Sequence, residues 1–192
     1  MFRLEAQDVE ALRKSHATYL RIVALQKGEN PALSWHRYRN PVRQGFNYAV
    51  VLLCNVLPPG LLKNFLYRLI GVSIGKNVSI ANDAILDPIY PELIVLEDDA
   101  ILGWGTKIFT HEFTHDTARF GSVIVRQGAL IGEFSVVRPG VVIGRKSLVA
   151  AMSFVNKDVP DGFVEGGVPI HLIHYTKGLR AGMKQAKKRR QK

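Results

Sequence analysis

Cysteine and long apolar runs are scarce in this sequence. The single cysteine, Cys54, excludes a disulfide within the chain. No apolar run approaches the roughly 20 residues that a membrane-spanning helix requires. The N-terminal stretch MFRLEAQDVEALRK carries acidic residues where a secretory signal would have an apolar segment. We therefore expect a cytoplasmic protein, with a peripheral position at the inner face of the membrane as the alternative.

Features of nucleic-acid binding are missing as well. The sequence has no zinc-binding motif, and its central part has no basic patch interleaved with aromatic residues. The net charge of +10 is concentrated in a C-terminal run of six positive charges in nine residues: Lys184, Lys187, Lys188, Arg189, Arg190 and Lys192. Such a run is most often a solvated tail, and contact with an anionic surface is the alternative. We expect no nucleic-acid partner.

An aliphatic residue, by contrast, returns at every sixth position through much of the chain. The positions are Ile74, Ile80, Leu86, Leu96, Leu102, Ile108, Val125, Ile131, Val137, Ile143, Val149 and Val155. A period of six is neither the 3.6 of a helix nor the 2 of a strand, so the chain must turn a corner every six residues. A parallel β-helix of triangular section does so, with three hexads to a coil and each coil burying the end of the last.

The position four residues after each aliphatic supports this interpretation, because it is small or β-branched nearly every time. These residues are Val78, Ala84, Ala100, Thr106, Ala129, Ser135, Val141, Ser147, Ser153 and Val159. Glycine directly follows the aliphatic at Gly75, Gly103, Gly132 and Gly144, where we expect tight corners. An ordinary β-sandwich with chance spacing is the alternative.

The six-residue register breaks twice. Ten residues instead of six separate Leu86 from Leu96, which predicts a small bulge. Seventeen separate Ile108 from Val125, and the residues between, 109–122 (FTHEFTHDTARFGS), are polar and lack the hexad pattern. We interpret them as a loop ejected from the prism, and such a loop on a rigid scaffold is where a binding or catalytic group is expected.

The segments before the repeat are predicted to be helical. Glu5 to Gln26 has helical apolar spacing, and Phe46 to Leu57 and Leu61 to Ile70 form two short helices separated by a Pro-Pro-Gly break. We interpret the two short helices as a cap on the open end of the prism, with association at a membrane surface as the alternative.

The expected fold class is therefore mainly β, a parallel β-helix of hexapeptide repeats flanked by helices. A chain of 192 residues that is 47% hydrophobic can bury a core in one principal domain. Its predicted parts are an N-terminal helical region over 1–70, the β-helix over 71–160 with the ejected loop 109–122, and a C-terminal extension over 161–192 with a short helix and the basic tail.

Three features that occur in order resemble the hexapeptide-repeat acyltransferases, the left-handed β-helix enzymes. They are the hexad array, the turn at 156–160 (NKDVP) and the closing segment at 166–169 (GGVP). The likeness covers roughly Leu61 to Ile173 and is nearest to the galactoside and maltose O-acetyltransferases. The segments LKNFLYRLIGVSIGKNVSI and THEF are similar to a bacterial and archaeal subgroup of that branch.

This resemblance implies a left-handed coil, a homotrimer and active sites in the grooves between neighbouring prisms. Acetyl-CoA would lie along a groove and acetylate a hydroxyl of a sugar or glycan precursor, and no metal is expected. The family's catalytic His corresponds to His111, with His115 as the second candidate and Glu112 or Asp116 as its orienting partner. An imidazole that titrates near 6.5 can take the proton of an attacking hydroxyl.

The resemblance also implies positions that contact acetyl-CoA. They are Glu133, Ala151, Asn156, Lys157, Gly167, Val168, Pro169, His171 and His174. Ala151 would offer its backbone to the pantetheine amides, and Lys157 would meet the nucleotide phosphates. Relatives carry Ala, Ser or Asn in place of Glu133, and often Arg or Lys in place of His171 and His174.

Two other functions remain open at this stage. A trimeric scaffold without catalysis is favoured by Glu133, His171 and His174, and by Gly105, where related sequences often have an Asn that contacts the acceptor. A γ-type carbonic anhydrase has the same architecture but needs three His ligands for zinc across the trimer interface.

Overall fold

A computed structural model describes residues 20–24, 39–115 and 117–178. The first element is a strand, β1 (Leu20–Ala24), and not the end of the predicted helix Glu5–Gln26. It pairs antiparallel with residues 117–121. The branched side chains of this segment suit a strand, and a distant pairing partner outweighs its local helical spacing. The remainder of the predicted helix lies outside the described residues.

Two helices follow, α1 (Pro41–Val56) and α2 (Leu61–Ile70), close to the predicted pair. α1 begins five residues earlier than predicted, because the Asn40 side chain accepts hydrogen bonds from the backbone N–H groups of Val42 (2.9 Å) and Arg43 (3.3 Å). α2 ends at Gly71, which adopts the left-handed conformation of a helix C-terminus. No helix among the described residues is long and apolar enough to cross a membrane.

From residue 73 onward the chain winds into a parallel β-helix with three strands in each coil. The first face contains β2 (Ser73–Ile74), β5 (Ile94–Leu96), β10 (Val123–Val125) and β13 (Val142–Ile143). The second face contains β3 (Ser79–Ile80), β6 (Ile101–Leu102), β11 (Leu130–Ile131), β14 (Leu148–Val149) and β16 (Phe163–Gly166). The third face contains β4 (Ile85–Leu86), β7 (Lys107–Ile108), β12 (Val136–Val137) and β15 (Phe154–Val155).

The hexad aliphatics fill the interior of this prism. Eleven of the twelve predicted positions are at most 1% exposed, and Ile74 in the first coil is half-buried. Aliphatics of successive coils stack in register: Leu102 pairs with Ile80 on one side and with Ile131 on the other. Because burying such a side chain contributes roughly 1.5–3 kcal/mol, this stack is the main source of stability.

The helices close the first coil of the prism, as predicted. Tyr67 of α2 is fully buried in the same hydrophobic core as the hexad aliphatics. Its hydroxyl donates to the carbonyl oxygen of Ala84 (3.1 Å), and the Asn64 side chain donates to that of Val78 (2.8 Å). The helices thus satisfy carbonyl groups of the first coil that have no preceding coil to pair with.

The glycines that follow the aliphatics do not form the corners, which corrects the prediction. A Cβ on Gly103 would lie 2.7 Å from the backbone nitrogen of Glu133, and one on Gly132 would lie 2.5 Å from that of Ala151. These glycines therefore allow adjacent coils to approach closely. The left-handed corner residues come two positions later and include Phe134 (φ 55°).

Both predicted register breaks contain ordered structure. The first holds a short 3-10 turn, Pro91–Leu93. The predicted loop 109–122 contains an antiparallel hairpin of β8 (His111–Phe113) and β9 (Thr117–Gly121), which forms a separate sheet with β1. After the last coil, β17 (His171–Tyr175) folds back antiparallel on β16. The predicted basic tail lies outside the described residues.

Candidate active site

The hairpin places His111 where the chain leaves the third face of the prism. His111 is the first residue of β8 and lies opposite Phe120 of β9. Phe120 packs edge-to-face against Tyr90 (5.3 Å between ring centroids) and Phe113 (6.0 Å), and the His111 ring lies 5.2 Å from that of Phe113. This aromatic cluster fixes the base of the hairpin on the insertion between the first two coils.

Asp87, fully buried in that insertion, holds the His111 ring. Its Oδ2 accepts hydrogen bonds from the backbone N–H (2.8 Å) and hydroxyl (2.8 Å) of Thr110 and from the backbone N–H of His111 (3.2 Å). The same oxygen lies 2.5 Å from Nδ1 of His111, and Oδ1 accepts from the backbone N–H of Ile89 (2.8 Å). The carboxylate therefore connects the ring to the backbone of two coils.

These contacts favour the ionised form of the Asp87 carboxyl. Burial by itself raises the pKa of a carboxyl, but the His111 ring and the donors from Thr110 and Ile89 hold the pKa of Asp87 below its ordinary value. An ionised carboxylate only accepts hydrogen bonds, so Nδ1 of His111 carries the hydrogen. Neutral His111 then has its lone pair on Nε2, and its side chain remains 19% exposed. This arrangement suits a general base.

Glu112, one of the two predicted orienting partners, does not hold the His111 ring. Glu112 pairs instead with Arg138 (Oε2 to Nη2, 2.5 Å) and Arg119 (Oε2 to Nε, 3.8 Å), and so ties the hairpin to the third face. The other candidate, Asp116, lies outside the described residues. A signal for Asp87 was present in the sequence, because it directly follows Leu86, and Leu86 stacks on Ile108. The stacking of hexad aliphatics in successive coils thus places Asp87 one coil from the start of the ejected loop 109–122.

His115, the second candidate base, lies exposed at the tip of the hairpin, between β8 and β9. It does not share the carboxylate that holds His111, and its catalytic role remains a prediction. Within the part of the chain that the structure describes, no three His, Cys, Asp or Glu side chains are grouped so that they could hold a metal ion.

Most of the predicted acetyl-CoA positions lie along one edge of the prism, between the second and third faces. Glu133 and Ala151 are exposed there on adjacent coils, joined by a hydrogen bond from the Met152 N–H to the Glu133 carbonyl (2.7 Å). The turn from Gly167 through Val168 to Pro169 packs on the same edge.

The contacts of that turn come from the last coil. The Gly167 N–H donates to the Ser153 hydroxyl (3.1 Å), and the Phe154 N–H donates to the Gly167 carbonyl (3.0 Å). His171 lies beside the turn, with Nδ1 3.3 Å from the Pro169 carbonyl oxygen. His174 is exposed farther along β17.

The remaining predicted residues lie on a different edge. Asn156 and Lys157 are exposed on the edge between the third and first faces, and the hairpin with His111 leaves the prism at that same edge. The third face therefore separates His111 from Ala151 within one chain. The predicted base and the predicted thioester site are not brought together by a single prism.

Gly105 lies on the edge between the second and third faces, where close packing against Phe134 favours a glycine. It is buried with a left-handed φ of 66°, and an added Cβ would lie 2.6 Å from the ring of Phe134. A larger residue such as the Asn of related sequences would therefore require Phe134 to move.

Several known proteins with similar sequences or folds are acetyltransferases. YvoF of Bacillus subtilis (strain 168), classed as an acetyltransferase, is 32% identical over 155 residues, which are 79% of this chain and 90% of YvoF. The hexapeptide-repeat acetyltransferase VCA0836 of Vibrio cholerae, solved with acetyl-CoA, has a TM-score of 0.61 and 20% identity, covering 77% of this chain and 92% of that one. A maltose O-acetyltransferase from Clostridium difficile has a TM-score of 0.57 and 18% identity, covering 80% and 92%. No protein-family model matches the chain.

The two solved structures bear on the fold of the chain, and the YvoF sequence bears on its family. The structures confirm the predicted left-handed β-helix, in which parallel sheets form the faces of a coil. The sequence similarity to YvoF extends over most of both chains. On these grounds the chain belongs to the hexapeptide-repeat acetyltransferases.

Proposed function

We propose that this acetyltransferase moves the acetyl group of acetyl-CoA to a hydroxyl of a sugar or glycan precursor, with His111 as the general base. The observation that carries the proposal is the buried Asp87 carboxylate, 2.5 Å from Nδ1 of His111. A hydrogen on Nδ1 leaves Nε2 to accept the acceptor's proton. The Asp87 carboxylate accepts five hydrogen bonds, one of them from the His111 ring. Packing of the hairpin alone does not require such a buried carboxylate beside an imidazole.

The bound thioester supplies an electrophilic carbonyl carbon. As the acceptor oxygen attacks that carbon, Nε2 of His111 takes the hydroxyl proton; the new C–O bond forms, the C–S bond breaks, and the imidazolium returns the proton to the CoA thiolate. Asp87 stabilises the imidazolium while it carries the proton, and general-base help of this kind contributes typically 10²–10⁴ in rate.

Acetyl-CoA fits the edge that carries Ala151. Ala151 is exposed and small, so an extended pantetheine can approach the backbone there, and Gly167, Val168 and Pro169 lie beside it. His171 and His174 are exposed nearby, on the side where the nucleotide phosphates would lie. Because His111 belongs to another edge, we infer that the site forms between two chains of a homotrimer, with His111 from one and Ala151 from its neighbour.

The acceptor class is tested by release of free thiol from acetyl-CoA in the presence of sugars, amino sugars and simple polyols. Thiol release that requires a sugar and yields an alkali-labile ester supports the proposal. Transfer to amino groups alone would contradict O-acetylation. Absence of both transfer and CoA binding would favour the catalytically inactive scaffold.

The shared site is tested by complementation between two inactive variants. His111→Ala lacks the base, and Ala151→Trp blocks the edge that would receive CoA. Because each interface unites one residue from each neighbour, randomly mixed trimers should recover about a quarter of the wild-type activity. Recovery of no activity, with mixed trimers verified by mass, would place both residues in sites within one chain.

A further inference from the structure

The outward face of α2 is strongly apolar, although solvent-facing sides of surface helices are usually polar. Leu61, Leu62, Phe65 and Leu69 are exposed, with Leu61 at 86%. Toward the prism the same helix presents Lys63, whose buried Nζ donates to the carbonyl oxygens of Ala81 (2.7 Å) and Leu57 (3.1 Å). Two polar side chains, Lys63 and Asn64, thus pack on the prism together with Tyr67 and Ile70, while the leucines and the phenylalanine face outward.

The outer face of α1 continues this pattern. Val42, Phe46, Leu53 and Val56 are exposed and recur at helical spacing, so they form a stripe opposite the buried residues Val50 and Cys54. Together, the exposed residues of the two helices make an apolar surface on one end of the prism, which we name the cap surface. It consists of Val42, Phe46, Leu53, Val56, Leu61, Leu62, Phe65 and Leu69. Eight large exposed apolar side chains within residues 42–69 exceed what isolated surface residues explain.

The charged side chains of α1 and α2 themselves have one sign: Arg43, Lys63 and Arg68. Between Glu29 and Asp83 the sequence contains no acidic residue and six basic ones. Two of these, Arg43 and Arg68, are exposed on the helices and donate to backbone carbonyl oxygens, those of Ile70 (3.2 Å) and Ile74 (3.0 Å). Neither forms an ion pair with a carboxylate among the described residues, so their positive charge is available to an anionic partner.

We propose that the cap surface docks on an anionic lipid bilayer, with its apolar side chains in the headgroup region and the arginines against lipid phosphates. Apolar residues flanked by unpaired cations are the pattern of helices that lie in a membrane interface. A second copy of the chain fits less well, because two cap surfaces face to face would bring together arginines that lack opposing carboxylates.

The test is cosedimentation of the full chain with vesicles of phosphatidylcholine and phosphatidylglycerol in equal amounts, against vesicles of phosphatidylcholine alone. We expect salt-sensitive binding to the anionic vesicles. The variant Leu62→Ser/Phe65→Ser should bind roughly tenfold more weakly or worse, since each side chain loses apolar area from the lipid contact. The matched control Ile22→Ser/Ile101→Ser removes exposed apolar residues elsewhere and should bind like the wild type.

Three results would overturn the proposal. They are absence of binding to anionic vesicles, an equal loss of binding in the control variant, and undiminished binding in Leu62→Ser/Phe65→Ser. The last result would show that the C-terminal basic run, and not the cap surface, binds the vesicles. Sedimentation in solution that shows the wild type associating through this surface, without vesicle binding, would assign it to a second copy. Thermal melting checks that each variant is folded, and Leu61→Ser/Leu69→Ser repeats the test at neighbouring positions.

Discussion

The prism and the hairpin that leaves it are stabilised in different ways. Each interior position of the prism repeats in the next coil, so that Leu102 packs between Ile80 and Ile131, and all three are fully buried. The hairpin has no such repetition. A small aromatic cluster and two carboxylates, Asp87 and Glu112, connect it to the coils.

This difference separates stability from chemistry. The prism distributes its stability over many similar contacts between aliphatic side chains in its interior, whereas the groups of the proposed site lie at its edges and on the hairpin. One of the groups that attach the hairpin, Asp87, also sets the tautomer of His111. We therefore expect substitutions in the prism to lower stability and leave the turnover of the folded protein unchanged. Substitutions at Asp87 should mainly lower turnover.

The largest effect on stability is expected from Ile131→Ala, in the middle of the stack. The truncated side chain leaves a cavity between coils, which should lower the free energy of unfolding by about 2–5 kcal/mol. Urea denaturation measures the loss. Turnover per folded molecule should stay at the wild-type value, and a fall in turnover without a loss of stability would show that the prism and site are not separate.

Asp87→Asn should produce the next largest effect, on turnover. An amide N–H facing Nδ1 of His111 favours the tautomer with hydrogen on Nε2, which cannot act as a base. We expect kcat to fall about 10²-fold, equivalent to about 2.7 kcal/mol. Asp161→Asn is the matched control, because that exposed carboxylate also accepts a backbone N–H, from Arg145 (2.6 Å), at another edge. An equal loss in both variants would mean that Asp87 acts through folding alone.

Acid should weaken the attachment of the hairpin. Because the folded pKa of Asp87 lies below its unfolded value of 3.8, its contribution to stability is complete above that value and is lost as the pH falls through the folded pKa. The difference in free energy of unfolding between wild type and Asp87→Asn should therefore be constant near neutrality and shrink below about pH 4. A difference that grew on acidification would contradict an ionised Asp87.

Glu112→Gln should have the smallest effect. Its carboxylate is about one third exposed and pairs with Arg138 and Arg119 on the surface, so the free energy of unfolding should fall by less than about 1 kcal/mol. Turnover should change less than twofold, as determined by steady-state kinetics. A loss as large as that of Asp87→Asn would return Glu112 to the role of orienting partner.

The prism could be predicted from the sequence, whereas the contacts of the hairpin could not. The period of six identified the interior residues from Ile80 to Val155, because every coil repeats one local pattern. The contact of Asp87 with His111 joins residues 24 apart in sequence, and the pairing of β1 with β9 joins more distant ones. Neither contact repeats along the chain. The period of six could place Asp87 one coil from the start of the hairpin, but it could not show that the side chains of Asp87 and His111 meet, or that β1 pairs with β9. The outward leucines of α2 were visible as apolar residues, but only the packed cap shows which face they occupy.

The most direct test of the account measures acetyl-CoA binding by calorimetry and acetyl transfer by kinetics, for wild type, His111→Ala and His115→Ala. We predict that all three bind acetyl-CoA equally, because the edge around Ala151 is unchanged. Transfer should fall roughly 10²–10⁴-fold in His111→Ala and stay near the wild-type rate in His115→Ala. Undiminished transfer by His111→Ala would contradict the assignment of the base. A loss in His115→Ala alone would move the chemistry to the tip of the hairpin.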